Sequence, residues 1–351
     1  MRQTIFITGA SSGIGKETAK YFQINGWNVV ATMRNPENET ELNGLENVFV
    51  TKLDVLDLDS INQAISKGIE KFGGIEVLLN NAGYGAYGPL ESFPREKILR
   101  QFNTNVLGLL DVTRAILPHF RENKKGIIMN VSSMGGKMTF PLGSLYHGTK
   151  FAVEGISESL RYEVEQFGGK VKIIEPGAIA TDFAGRSFDF NNDENLSAYQ
   201  SIVGKIMAAF PQMIKNASST NVVTEVIYEA ATDGKNRLRY MAGKDAKLYN
   251  LLNVYGNKDN MTDGCPILNF GVESDDTNPI IKEQVKKAIR SAQKRFFDLA
   301  EEGIANKELT PEINPEHFSI KTFAIIEGAI LYRKVFDNED QVKIVLESIK
   351  T

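Results

Sequence analysis

The chain has 351 residues, a net formal charge of −4, 24% charged and 42% hydrophobic side chains; this suits a folded protein with a full core and leaves no basic face for nucleic acid. One cysteine rules out an internal disulfide, and with only three histidines (His119, His147 and His317) a Cys/His zinc site is implausible, so no metal is expected. No apolar run is long enough to span a bilayer, and "MRQTIFITGA" enters a strand pattern without a signal-peptide core; a cytoplasmic location is expected, with any demanding chemistry left to an organic cofactor.

Along the chain, short β-branched runs alternate with helix-length stretches. "TIFIT", "WNVVATM", "NVFVTKLDV", "VLLNNAG", "GIIMNVSS", "VKIIEPG" and "LRYMAG" each read as a strand, and the rhythm predicts βαβ crossovers in a parallel sheet covered on both faces. The fold class expected is therefore α/β, a Rossmann-type doubly wound parallel sheet of seven strands, followed by a small all-α C-terminal domain. From Phe183 to Lys215 the pattern loosens into a polar and aromatic insertion, the place for a mobile lid. The polar, turn-rich "YGNKDNMTD" predicts a domain boundary, with one domain over 1–255 and a second over 261–351.

The first strand ends in "TGASSGIG", and a helix follows. Gly9, Gly13 and Gly15 let the backbone turn tightly and approach a pyrophosphate, whose charge the helix N-terminus meets; taken alone, such a turn also fits a loop that needs positive φ. The second strand ends in Met33 and Arg34 where an acidic residue would hold a ribose 2′-hydroxyl. A guanidinium there pairs with a 2′-phosphate and favours NADP(H), with NAD(H) still possible; a solvated arginine is the other reading. In "SLYHGTK", Tyr146 and Lys150 are four residues apart and share a helix face, so an ammonium can lower the pKa of a phenol. An ordinary surface pair has the same spacing. Ser133 closes the strand "GIIMNVSS", so three polar groups can converge at the C-terminal edge of the sheet.

Together, "TGASSGIG", "NNAG", "NVLG", Ser133, Tyr146-x-x-x-Lys150 and "PGAIAT" closely resemble the short-chain dehydrogenases/reductases over roughly residues 1–255. "ATMR" and "NNAGYGAYGPLE" are most similar to the branch of 17β-hydroxysteroid and retinol dehydrogenases. The resemblance implies an oxidoreductase with Tyr146 as general acid or base, Lys150 on the nicotinamide ribose, Ser133 on the substrate oxygen and Asn105 completing a proton relay. It also implies that Gly9, Ser11, Ser12, Gly13, Ile14, Gly15, Arg34, Asp54, Val55, Asn81, Ala82 and Gly83 line the adenosine and phosphate side. Pro176, Gly177, Ile179 and Thr181 would line the nicotinamide side, with Tyr146 and Lys150. Tyr84, Tyr87, Phe140, Leu142, Phe183, Phe188 and Tyr199 fall in loops this fold gathers over the nicotinamide, suggesting a lipophilic carbonyl or alcohol substrate; ordinary lid packing explains them too. His147 lies off the face of Tyr146 and is not read as the base.

After the linker, Asn278 and Pro279 read as the start of an amphipathic helix with a stripe of Ile281, Val285, Ala288, Ala292, Phe296 and Leu299. A second helix, "HFSIKTFAIIEGAILYRKVF", is apolar on most sides, and a short third is predicted over "EDQVKIVLESI". Such helices leave apolar surface for another copy to cover, so a homo-oligomer is expected. "GCPILNFGVESDDTNPIIKEQVKKAI", "EEGIANKEL" and "FAIIEGAILYRKV" resemble the C-terminal part of TetR-family regulators, whose helices form a dimer bundle; the DNA-reading helices of that family have no counterpart here. Two other functional readings stand beside the carbonyl/alcohol enzyme. One is a dinucleotide-sensing regulator, against which the full set of catalytic residues argues, and the other is a 3-oxoacyl thioester reductase, which would need cationic residues near the pocket mouth.

Overall fold

Branched apolar residues set the frame of the computed structural model, which describes residues 2–181, 187–215, 217–243, 246 and 279–336. Seven strands, β1 (Thr4–Ile7), β2 (Asn28–Met33), β3 (Val48–Lys52), β4 (Val77–Asn80), β6 (Gly126–Val131), β7 (Gly169–Pro176) and β9 (Arg239–Ala242), form one sheet in the order β3-β2-β1-β4-β6-β7-β9. Every pairing in it is parallel. Strand β1 is buried throughout and alternates its side chains between two cores. Ile5 and Ile7 pack with Phe22 of α1 (Gly13–Ile24) and Val223 and Ile227 of α7 (Thr220–Thr232). Phe6 faces the other way, into the core of Ile61 from α2 (Leu58–Phe72) and Val112, Ile116 and Phe120 from α4 (Gly108–Glu122).

The helix ends follow local chemistry. The Asp57 carboxylate accepts the Asp59 and Ser60 amides at 3.0 and 3.2 Å and so caps α2, which Gly73 ends at φ +83°. A buried polar ladder then sets the register of α5 (Ser144–Val164). Asn80 donates to Thr113 and to Asn130, each at 2.9 Å, and Asn130 donates to Ser157 of α5 at 2.8 Å. Each of these groups would be costly to bury unpaired, so the helix has one admissible position. At the far side, the fully buried Lys172 of β7 donates to Asp233 at 2.7 Å, to the Ala230 carbonyl at 2.6 Å and to the Tyr240 hydroxyl at 3.0 Å.

The loosened stretch after Thr181 holds more order than the sequence pattern shows. Phe188–Phe190 forms β8, which pairs in parallel with β5 (Gly85–Tyr87), and Ser197–Lys215 forms a helix, α6, with Pro211 inside it. The chain separates into two compact units, Met1–Lys247 and Leu248–Thr351. The expected linker, Cys265, Asn278 and the third tail helix lie outside the described residues. The second unit contains α8 (Pro279–Ala305) and α9 (Pro315–Phe336), which pack together. Their seam differs from the stripe read in sequence: Val285, Ala300 and Gly303 are buried, whereas Leu299 is 59% exposed. Leu309 sits against Gly303, where a Cβ would lie 2.9 Å from its Cδ1, so a small residue defines the contact.

Candidate active site

The strand order reverses between β1 and β4, which leaves a crevice at their C-terminal ends. Gly9 enters the turn above β1 at φ +69° and Gly13 at φ +54°. A Cβ on Gly15 would lie 2.3 Å from the Gly9 carbonyl oxygen and 2.5 Å from Asn81 Nδ2, so only glycine fits. Asn81 locks this turn, donating to the Thr8 and Gly9 carbonyls at 2.9 and 3.0 Å. The Thr8 hydroxyl accepts the Asn81 and Ala82 amides, each at 3.0 Å. Ser12 is the N-cap of α1 but makes no side-chain cap bond, so the first-turn amides are not satisfied by it. That glycine cradle and helix start fit a dinucleotide phosphate. Ser11 is exposed and Ile14 half-buried at the same turn.

Arg34 is exposed immediately after β2 and forms no ion pair among the described residues. Asp54 accepts the Leu56 amide at 3.0 Å, and Val55 is buried against Gly108, where a Cβ would come within 2.8 Å. Gly83 is exposed beside Asn105. At the other end of the crevice, Pro176 ends β7 and the Gly177 amide donates to the Ala242 carbonyl at 2.9 Å. Ile179 bridges Ser218, and Thr181 lies 3.5 Å from a Cβ placed on Gly13.

Helix α5 brings Tyr146 and Lys150 to the end of β6, where Ser133 follows. Ser133 hydrogen-bonds the Tyr146 side chain and pulls its pKa down, against a larger upward push from burial; the net shift is upward. Lys150 Nζ donates to the Val131 carbonyl at 2.8 Å and lies 5.8 Å from the centroid of the Tyr146 ring. Burial lowers its pKa to about 8, with Glu154 opposing. The ammonium is thus anchored on the main chain, while the Ser133 hydroxyl donates to the Pro176 carbonyl at 3.5 Å and bears on the phenol. Asn105 sits in a π-helical turn, Asn103–Leu107, between α3 (Arg95–Phe102) and α4. Its amide group accepts from the Tyr84 amide at 3.0 Å and donates to the Tyr84 carbonyl at 2.8 Å and to Thr149 at 3.1 Å.

An aromatic wall stands beside the tyrosine. Tyr87 of β5 lies 5.3 Å from Tyr146 and stacks on Phe188 of β8 at 5.2 Å, which in turn meets Phe210 of α6 at 5.0 Å. Phe140 packs on His147. Tyr199 turns outward and donates to Glu91 at 2.7 Å, Tyr84 lies under Arg100, and Leu142 is half-buried at φ +66°. Phe183 is outside the described residues. Sequence reasoning passed over Thr8 and Thr149 as site residues, although both lie inside the quoted motifs; their hydroxyls fix Asn81 and Asn105.

A parallel sheet with a glycine-rich first turn and a Ser-Tyr-Lys group at its C-terminal edge defines a dinucleotide-fold oxidoreductase. Residues 3–192 match the model described as "short chain dehydrogenase", and residues 246–349 match "Tetracyclin repressor-like, C-terminal domain". The chain belongs to the short-chain dehydrogenase family and carries a TetR-type C-terminal region. It is 49% identical over 211 residues to an uncharacterized oxidoreductase of Schizosaccharomyces pombe, covering 60% of this chain and 88% of the relative. It is 41% identical over 181 residues to a 3-ketodihydrosphingosine reductase of Bacteroides thetaiotaomicron, covering 52% and 65%. Against retinol dehydrogenase 16 of Rattus norvegicus, identity is 32% over 266 residues, covering 70% and 82%. Among solved structures, a short-chain dehydrogenase from Streptomyces avermitilis superposes with a TM-score of 0.65 at 32% identity, covering 72% of this chain and 93% of that one. ElxO with NADP bound gives 0.58 at 29% identity, covering 71% and 100%. Among the described residues, no helix is long and apolar enough to cross a membrane.

Proposed function

We propose that this chain interconverts a lipophilic ketone or aldehyde and its alcohol with NADP(H), in the cytoplasm. The observation that carries the reading is the convergence of Tyr146, Lys150 and Ser133 at the end of β6 beside the Tyr87–Phe188 wall, with Lys150 Nζ on the Val131 carbonyl and 5.8 Å from the Tyr146 ring centroid. Gly9, Gly13 and Gly15 with the start of α1 would hold the pyrophosphate, Arg34 the 2′-phosphate, Asp54, Val55 and Asn81 the adenosine side, and Pro176, Gly177, Ile179 and Thr181 the nicotinamide side. When bound, the dinucleotide supplies or accepts the hydride.

The protein's own groups handle the proton and the orientation. In reduction Tyr146 gives its phenolic proton to the carbonyl oxygen, while Ser133 donates a hydrogen bond to the same oxygen as negative charge develops there. In oxidation the roles run in reverse, with the phenolate taking the alcohol proton. Lys150 contributes a positive charge one turn away, and the aromatic wall keeps water from the reacting carbon. The exposed Arg34, the NADP in the ElxO structure and the lipid-directed names of two relatives support the finer parts of this reading. The helices of 261–351 act as an oligomerisation unit, which the exposed Leu299 and Ile320 support.

The test is consumption of NADPH, with NADH beside it, against retinaldehyde, a long-chain 3-keto amine, a steroid ketone and a 3-oxoacyl thioester. Turnover of a lipophilic carbonyl with NADPH preferred is the expected result. Turnover confined to the thioester would replace the substrate class. Dinucleotide binding without turnover of any of them would favour a sensor.

A further inference from the structure

His147 follows the tyrosine in the sequence yet faces away from the reacting centre, and both of its ring nitrogens are engaged. Nε2 accepts the Phe140 amide at 3.0 Å, so that nitrogen carries no proton. The proton therefore sits on Nδ1, which donates to the Gly135 carbonyl at 2.9 Å. The Gly135 amide in turn donates to Ser133 Oγ at 3.0 Å. One imidazole thus ties both ends of the loop from Gly135 to Phe140 to the helix that carries Tyr146. The fit is tight: the ring is 2% exposed, and a Cβ on Gly135 would lie 2.8 Å from Nδ1, one on Gly143 2.5 Å from Cδ2.

We propose that His147, as the Nδ1–H imidazole, is a positioning residue that holds Ser133 in hydrogen-bonding register with Tyr146. The chain of contacts runs from His147 to the Gly135 carbonyl, across the Gly135 Cα to its amide, and from there to Ser133, whose hydroxyl bears on the phenol. A Phe140 amide facing a protonated Nε2 would be donor against donor, so the device works only with the ring neutral. Burial lowers the pKa of His147, with the Gly135 bond opposing, which agrees with that state. The titratable groups that face it are Tyr87 from β5, at 6.2 Å between ring centroids, and Tyr146 on its own helix, at 5.6 Å; among the described residues no ion pair reaches it. The inference rests on the assignment of Ser133 and Tyr146 as the proton-handling pair.

The test uses the full chain and two variants. His147→Asn keeps a donor at the Nδ1 position, and His147→Phe keeps the ring shape but drops both bonds. With selectively 15N-labelled histidine, only three side chains give signals; the one lost in His147→Asn should show the neutral Nδ1–H pattern and remain neutral where an ordinary histidine has become charged. For the carbonyl probe that the wild type turns over best, His147→Phe should lower kcat about 10- to 100-fold, with NADPH affinity unchanged. It should also move the alkaline limb of alcohol oxidation upward, because Tyr146 loses the Ser133 bond that lowers its pKa. His147→Asn should restore most of the rate and the original limb. An Nε2–H or freely titrating His147 overturns the proposal, as does full activity in His147→Phe, or an equal loss of rate and NADPH affinity in both variants. If the wild type turns over no probe, or Tyr146→Phe keeps full activity, the catalytic assignment falls instead, and the nitrogen spectra still decide the tautomer.

Discussion

Lys150 donates to the Val131 main-chain carbonyl at 2.8 Å, so the ammonium of α5 is anchored at the end of β6, beside the strand residue that leads into Ser133. Burial brings its pKa down to about 8. A lysine is charged below its pKa, so the positive charge is full at lower pH and lost as pH rises through about 8. Reduction of the carbonyl should therefore lose kcat/KM above that pH, while Tyr146, whose pKa burial raises, stays protonated. Lys150→Ala should fall by roughly 100-fold and show no such limb; a wild-type profile flat to pH 10 would contradict the role given to this charge.

Arg34 is exposed just after β2 and forms no ion pair among the described residues, and its guanidinium is the candidate partner of a 2′-phosphate. Charge-assisted hydrogen bonds of this type contribute about 1.5–3 kcal/mol. Arg34→Leu should weaken NADPH binding about 10- to 100-fold and leave NADH binding within about twofold. Titration of both dinucleotides by fluorescence reads the difference. Equal losses for the two would remove Arg34 from cofactor choice.

Asp233 is the only carboxylate that pairs with the fully buried Lys172 among the described residues, and it also accepts the Tyr240 hydroxyl at 2.7 Å. Asp233→Asn leaves the ammonium buried without its counter-charge and should cost about 3–5 kcal/mol. Tyr240→Phe removes one hydrogen bond and should cost about 1 kcal/mol. Urea unfolding of both variants checks the order, and equal effects would show that the ion pair adds nothing to the ring contact.

In the helical tail, α8 and α9 leave Leu299 59% and Ile320 48% exposed. If these faces meet another copy, the full chain should have a larger mass by light scattering than a chain ending at Tyr255, and the shorter chain should still bind dinucleotide. Equal subunit numbers in the two would remove the tail as the oligomerisation unit.

The frame of the site was legible in the sequence because its parts are local. A glycine turn between strand and helix, a Tyr and a Lys four residues apart, and a serine at a strand end are each ambiguous alone, but their order along the chain is read without any long-range contact. The links between parts were not. The Asn105–Thr149 and Thr8–Ala82 bonds join residues 44 and 74 positions apart, and no periodicity encodes such partners. Strand β8 pairs with β5 across about a hundred residues, and its three-residue length gives no alternation to read. In α8, the polar-looking end of the stripe hid the buried face: Ala300 and Gly303, small residues that hydropathy patterns undervalue, are buried, while Leu299 is exposed. Helix phase places His147 off the Tyr146 face, but phase alone does not show what a side chain holds there.

The measurement that bears most directly on the account is single-turnover hydride transfer in Tyr146→Phe, with NADPH affinity determined on the same preparation. A phenol that supplies the proton should, when removed, slow transfer by about 10²- to 10⁴-fold, with NADPH binding unchanged. Transfer at the wild-type rate with the hydroxyl gone would contradict the proposed chemistry.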